Sequence, residues 1–166
     1  KHYYWIQPIC GSEKGQWTVG YEFETECYGI TPLPYEENFD DEDYKTGAGE
    51  KVFTVPCMHT NLVAYTYSGS GSSATSYYPY LTSAKDGATG NSLYLTEQSS
   101  WNGKYTYVAL PKMEEAVNKL QLSFRMYVTD AKYMVAVGVM TDPLDSTTFE
   151  MVKEVKAKFI NEYVEY

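Results

Sequence analysis

The segment that decides the fold class is Tyr133-Met134-Val135-Ala136-Val137-Gly138-Val139-Met140, which is apolar on both faces. A strand of this composition belongs in the middle of a sheet, because both of its faces need cover. The preceding segment alternates, and one of its faces carries Leu120, Leu122, Phe124, Met126 and Val128. Together the two strands predict a sheet whose apolar face requires a second, covering sheet.

Other strand-like segments are spaced along the chain between turn residues. They are 2–10, 18–25, 62–67, 92–96, 105–110, 149–158 and 163–166. Residues 68–76 are only Ser, Gly, Ala and Thr, which predicts a flexible surface loop. Residues 113–119 predict a short helical turn at most. The pattern as a whole predicts an all-β protein, and specifically an antiparallel β-sandwich.

The amino-acid composition limits the kinds of binding partner that we expect. The chain has 18 Tyr, a net charge of −9, and 13 Lys and Arg residues, of which Arg125 is the one arginine. Nucleic-acid backbones and anionic membranes need clustered basic residues, so we expect neither partner. No apolar run approaches the roughly 18 residues of a membrane span. An acidic, Tyr-rich, turn-rich chain fits an extracellular β protein, although a β-sandwich without any sharper role fits equally well.

Two stretches resemble known families. Residues 1–27 resemble the last two strands of a fibronectin type III domain, through Tyr4, Ile9-Cys10-Gly11, Trp17 and Phe23-Glu24-Thr25-Glu26-Cys27. Residues 31–166 resemble the MAM-like, concanavalin-like jelly rolls of secreted bacterial proteins, which include choice-of-anchor J and cleaved-adhesin domains. The motifs that carry this second resemblance are 33–40, Pro56-Cys57, 90–94, 109–111 and 137–143.

The resemblance implies a domain organisation. Residues 1–27 would be the C-terminal strands of a fibronectin-like domain, 28–34 a linker, and 35–166 a jelly roll that lacks its last strand or strands. We therefore expect a segment of a longer polypeptide, completed by the rest of that polypeptide or by another chain. Met58 departs from the family pattern, because a Trp usually follows the Cys there.

The cysteine count is odd, with three residues, which in a secreted chain suggests one pair and a leftover thiol. The resemblance implies that the pair is Cys27–Cys57, because both match Cys positions that occur together in the family. Cys10 would then be unpaired within this chain.

The function implied by the resemblance is a non-catalytic adhesion or carbohydrate- or protein-binding module of a larger secreted or cell-surface bacterial protein. Its partner would be a glycan, or a host or neighbouring surface protein. Two alternatives stay open: an accessory domain of a secreted peptidase or glycoside hydrolase, and a structural spacer or assembly subunit.

The sequence offers no convincing catalytic residues. His59 lies two residues after Cys57, but we expect a disulfide there and not a Cys–His nucleophile. Ser70 and Ser72 lack the strand-to-helix turn of a nucleophilic serine. The carboxylates of 36–43 are neighbours on one segment, whereas a glycosidase needs two carboxyls facing each other across a cleft.

The acidic segment, residues 36–43, is a candidate calcium site. Asn38, Asp40, Asp41 and Asp43 offer hard oxygen ligands, which suit Ca²⁺. The resemblance implies a structural Ca²⁺ held by Asn38, Asp40 and Asn91, without the last-strand ligand of the family. The alternative is a solvated acidic loop that binds no cation.

A ligand-binding surface is a candidate at the aromatic residues Tyr77, Tyr78, Tyr80 and Trp101, on which sugar rings could stack. The alternative is that a Tyr-rich sandwich simply holds many half-buried tyrosines with their hydroxyls outward.

Overall fold

The computed structural model describes residues 2–23, 27, 29–30, 33–69, 72–83, 88–96 and 105–166. Within these ranges the regular structure is strands, with two 3-10 helices, Val117–Lys119 and Ser146–Thr148. The prediction of an all-β protein is confirmed, as is the short helical turn expected within 113–119. None of the helices in the described part is long and apolar enough to cross a membrane.

The N-terminal region contains two small antiparallel pairs. β1 (His2–Tyr4) pairs with β4 (Tyr21–Phe23), and β2 (Ile9–Cys10) pairs with β3 (Glu13–Lys14). Gly11 makes the tight turn of the inner pair with a φ of +62°, a conformation in which glycine has no Cβ clash. The expected strand 2–10 is therefore interrupted, because residues 5–8 in its middle belong to neither pair.

The central region contains three antiparallel pairs in its described part, of which the first joins segments that are far apart in the sequence. Its antiparallel pairs are β5 (His59–Thr60) with β10 (Val108–Ala109), β6 (Val63–Gly69) with β7 (Ser72–Tyr78), and β8 (Tyr80–Thr82) with β9 (Ser92–Tyr94). An isolated bridge also links Thr46 to Leu81, so the irregular segment before β5 lies alongside β8.

The C-terminal region contains the longest strand of the described ranges, which has eight residues. β12 (Met134–Met140) pairs with β13 (Phe149–Lys156), with an irregularity between Val137 and Gly138. β11 (Arg125–Met126) pairs with β14 (Val164–Glu165). All seven sheets in the described ranges have two strands, so the closure of these sheets into a jelly-roll sandwich stays a prediction.

The prediction of a flexible loop over residues 68–76 is wrong for the part of it that the structure describes. Residues 68–69 and 72–76 lie in β6 and β7, where Thr66 pairs with Thr75 and their hydroxyls hydrogen-bond at 3.0 Å. Residues 70–71 lie outside the described ranges. The composition suggested a loop, but the ladder pairs the two strands in register and satisfies the backbone groups that they turn toward each other.

The prediction of a long strand over residues 120–128 is also largely wrong. Only Arg125–Met126 forms strand, flanked by backbone hydrogen bonds between Phe124 and Tyr166. The alternation of apolar residues marks a face that could be buried, but a ladder forms only where a second backbone lies alongside. Here that second backbone is the short C-terminal segment.

The core is small and is centred on Leu81, whose side chain is 1% exposed. Val55 and Met58 complete the fully buried cluster. Met58 fills this corner with a flexible, unbranched side chain. The partly buried residues packed on the cluster are Tyr35, Phe39, Tyr44, Phe53, Leu93 and Val108. We call this set the Leu81 corner.

Candidate functional site

Three tyrosine rings form a cluster on the β8–β9 pair. Tyr80 and Tyr94 are direct cross-strand partners, and their rings stack with centroids 5.0 Å apart at an interplanar angle of 23°. Tyr78 contacts both, at 5.4 Å from the ring of Tyr80 and 6.1 Å from that of Tyr94. All three residues are half-buried, so part of each remains accessible to solvent. We call these three residues the tyrosine cluster.

The cluster differs from the expected platform in its membership. Tyr77 precedes Tyr78 in β7, so their side chains leave opposite faces of the strand. Trp101 lies outside the described residues. The prediction missed Tyr94, which lies directly opposite Tyr80 in the β8–β9 pair. A strand assignment at 80–82 would have pointed to a cross-strand aromatic partner in 92–94.

Burial raises the pKa of Tyr80, and Coulombic repulsion from Tyr94 and Tyr78 adds to the rise. The phenol therefore stays protonated well above neutral pH. A neutral phenol is a hydrogen-bond donor and acceptor on an apolar ring. That combination suits a ligand with both apolar faces and hydroxyl groups.

The three predicted calcium ligands do meet in space. The backbone N–H of Asn91 donates to Asp40 Oδ1 at 2.6 Å, and the side-chain amide of Asn91 donates to the carbonyl oxygen of Phe39 at 2.7 Å. The backbone N–H of Asp40 in turn donates to Asn38 Oδ1 at 3.1 Å. Gly90 lies against the Asp40 carboxylate so closely that a Cβ there would collide with it.

These hydrogen bonds account for the proximity of the three residues without a cation. One oxygen of Asp40 and the side-chain oxygen of Asn38 already accept backbone N–H groups. Within the described ranges, no group of three or more His, Cys, Asp or Glu residues could hold a metal ion. What the geometry establishes is a link between the acidic segment and the start of β9. Calcium at this link stays a prediction.

Glu37 organises the same acidic segment from the inside. Its carboxylate accepts hydrogen bonds from the hydroxyls of Tyr35, at 3.4 Å, and Tyr44, at 3.2 Å, and from the backbone N–H of Phe39 at 2.7 Å. Burial raises the pKa of Tyr44 to about 12, and the negative charge of Glu37 contributes to the rise. The same causes raise the pKa of Tyr35. The acidic segment is thus partly a packed element of the Leu81 corner.

The predicted disulfide between Cys27 and Cys57 is confirmed, and Cys10 is free and exposed. Because Cys57 is oxidised, no thiol stands beside His59 to act as a nucleophile. The junction is held at a second place, where the N–H of Ile30 donates to the carbonyl of Lys112 at 2.7 Å and Ile30 forms a parallel bridge with Met113. The segment after the N-terminal pairs is therefore attached to the central region twice.

Sequence reasoning did not single out an aromatic concavity in the N-terminal pairs. Tyr3, Tyr4, Trp5 and Trp17 line a shallow cavity of about 450 Å³. The indole of Trp5 lies on Gly20, where any side chain would collide with the ring. Both tryptophans stay more than half exposed. In a fibronectin-like sandwich these residues would face a second sheet, so their exposure alone does not define a binding site.

No family model, curated protein or solved structure matches this chain.

Proposed function

We propose that this chain is a non-catalytic carbohydrate- or protein-binding adhesion module of a larger secreted or cell-surface bacterial protein. The observation that supports the proposal most directly is the tyrosine cluster. Aromatic rings offer the C–H faces of sugars a stacking surface, and their hydroxyls offer hydrogen bonds. The disulfide fits an oxidising compartment outside the cytosol. The resemblance of residues 31–166 to MAM-like jelly rolls is the reason to place the module in a bacterial surface protein.

A glycan array followed by calorimetry tests this proposal. We expect a glycan that binds the wild type, and we expect Tyr80→Ala to weaken that binding at least about tenfold, because base stacking on aromatic rings shows effects of similar size. Tyr80→Phe should retain most of the ring's contribution and lose the hydrogen bond.

The matched control is Tyr67→Ala, since Tyr67 is an exposed strand tyrosine of β6 whose ring is not in the cluster. Its binding should equal that of the wild type. A wild type that binds no glycan on the array, or equal losses in the two alanine variants, would count against carbohydrate recognition at the cluster.

A structural spacer is the second candidate, and the doubly attached junction favours it. The Cys27–Cys57 disulfide and the Ile30 backbone hydrogen bond fix the path of the chain between the two regions. A spacer needs such a fixed path, because a free linker transmits no geometry. Limited proteolysis tests this: residues 28–34 should resist cleavage in the oxidised protein and become sensitive after reduction. Cleavage that is equally fast in both states would contradict a rigid junction.

The proposal also includes a structural calcium ion bound at Asp40. Asp40 would supply a carboxylate oxygen, and Asn38 and Asn91 would supply amide oxygens, all of which are ligands of the type that Ca²⁺ prefers. A cation that binds only the folded state must raise the melting temperature. We expect calcium to raise it, chelator to reverse the rise, and Asp40→Asn to abolish it. An identical melting temperature with calcium and with chelator would remove the cation from the proposal.

A further inference from the structure

We propose that two copies of this chain associate through the outer edge of β12. The two β12 strands would pair antiparallel about a two-fold axis, and the two β13 strands would lie outside them in one four-stranded sheet. This inference is independent of the proposed binding function, because it rests on the β12–β13 ribbon and not on the tyrosine cluster.

The two edges of the ribbon differ in chemistry. β13 carries Glu150, Lys153, Glu154 and Lys156 among its eight residues, and charges of this kind are a common protection against edge-to-edge pairing. β12 carries neither a charged residue nor a proline along Met134–Met140. One edge of the ribbon is thus protected, and the other is not.

The backbone of β12 is satisfied on one side. Its ladder with β13 runs from the Met134–Lys156 pair to the Met140–Phe149 pair. Within the described ranges no third strand pairs with β12, so its outward N–H and C=O groups have no strand partner there. A two-stranded ribbon is marginal in water, and further strands are what normally stabilise it.

The side chains of β12 also suit a copy of themselves. Val135, Val137 and Val139 are β-branched residues that favour strands, and the strand holds no hydroxyl or charged group on either face. An antiparallel β12–β12 contact therefore brings apolar side chains opposite one another without like-charge repulsion. β6 and β7 are uncharged as well, but unlike β12 they carry Ser, Thr and Tyr hydroxyls, of which those of Thr66 and Thr75 hydrogen-bond to each other.

Sedimentation equilibrium on the full chain, over about a hundredfold range of concentration, tests the association. We expect a reversible monomer–dimer equilibrium for the wild type. Ala136→Lys should raise the dimer dissociation constant at least about tenfold, because it places a charge among the partner's uncharged side chains. Ala136 is exposed and lies opposite Glu154 in β13, so the new lysine has a local ion-pair partner and the fold should persist.

The matched control is Val152→Lys, which adds the same charge to the 70% exposed position on β13. Its dissociation constant should equal that of the wild type. A monomeric wild type at all concentrations would overturn the proposal. So would an open series of larger species, or a Val152→Lys variant that dissociates as readily as Ala136→Lys.

Amide hydrogen exchange on the wild type provides a readout that needs no variant. Amides in 134–140 should exchange more slowly at a concentration where the dimer prevails, whereas exchange in 149–156 should change little. Equal exchange of 134–140 at the two concentrations, or new protection confined to β13, would contradict pairing through β12.

Discussion

The Leu81 corner and the N-terminal pairs use similar residues with opposite results. In the corner, Val55, Met58 and Leu81 are 2%, 6% and 1% exposed. In residues 2–23, large apolar side chains such as Trp5, Trp17 and Val19 remain 56%, 62% and 75% exposed. Hydrophobicity is therefore not what distinguishes the two regions.

The difference lies in how far the contacts reach along the chain. The corner joins the acidic segment, the stretch around Cys57, and strands β8, β9 and β10, which belong to two different strand pairs. The N-terminal region has two local pairs in which ring contacts such as Tyr4–Tyr21 link neighbouring strands of one layer. A single layer cannot bury its own faces, so its aromatic residues stay at the surface.

We expect the largest loss of stability from removal of the disulfide, which connects the end of the N-terminal region to the Leu81 corner. Cys27 and Cys57 enclose a sequence separation of 30 residues. Loop-closure entropy for that length predicts a loss of about 3.6 kcal/mol in the free energy of unfolding when both are changed to Ser. Chemical denaturation measures the loss.

The free Cys10 supplies the control, because Cys10→Ser removes an exposed thiol that has no disulfide partner. We expect a change of less than about 0.5 kcal/mol for it. Equal stability of the double variant and the control would show that the corner holds the junction without the disulfide.

The second-largest expected effect compares the stability contributed by a side chain in each of the two regions. Leu81→Ala removes a side chain that is 1% exposed, and burial of this kind predicts a loss of about 3 kcal/mol in unfolding free energy. Val19→Ala removes a side chain that is 75% exposed, and we expect a change of less than about 0.5 kcal/mol. A comparable loss for Val19→Ala would reveal that a second layer covers the N-terminal pairs in solution.

Strand positions were predictable where the apolar pattern and a nearby partner agree. β12 and β13 match the predicted strands 133–140 and 149–158 closely, because a short connection brings them together as a hairpin. Residues 120–128 show the opposite case. Their alternation is strong, but the available partner backbone is short, so the ladder is short too. The apolar pattern of a sequence indicates which residues could be buried, whereas strand pairing depends on whether another backbone segment lies alongside.

The candidate site was predictable in part, for the same reason. Asn38, Asp40 and Asn91 came together as the resemblance implied, although they lie on segments about fifty residues apart in the chain. Tyr94 escaped notice because its role depends on the register between β8 and β9, which composition does not carry. Leu81 escaped notice because a three-residue strand shows too few positions for a period to be read.

The smallest expected effect is a pH dependence of folding stability, which arises from Tyr44 in the Leu81 corner. Burial raises the pKa of Tyr44 from its ordinary value of 10.0 to about 12, with Glu37 and Asp41 contributing by their negative charge. The folded state therefore holds the proton more tightly than the unfolded state does. Stability from this group is fully present below pH 10 and falls as the pH rises from 10 toward 12.

Tyr44→Phe isolates this contribution, because it keeps the ring and removes the ionisable hydroxyl that donates to Glu37 at 3.2 Å. In urea denaturation at alkaline pH, we expect the variant to lose stability less steeply than the wild type between pH 10 and about 12. Some slope should remain, since the pKa of Tyr35 is raised as well. If the slopes of Tyr44→Phe and the wild type coincide, Tyr44 is as accessible as the aromatic residues of the N-terminal pairs, and the contrast between the two regions does not extend to the acidic segment.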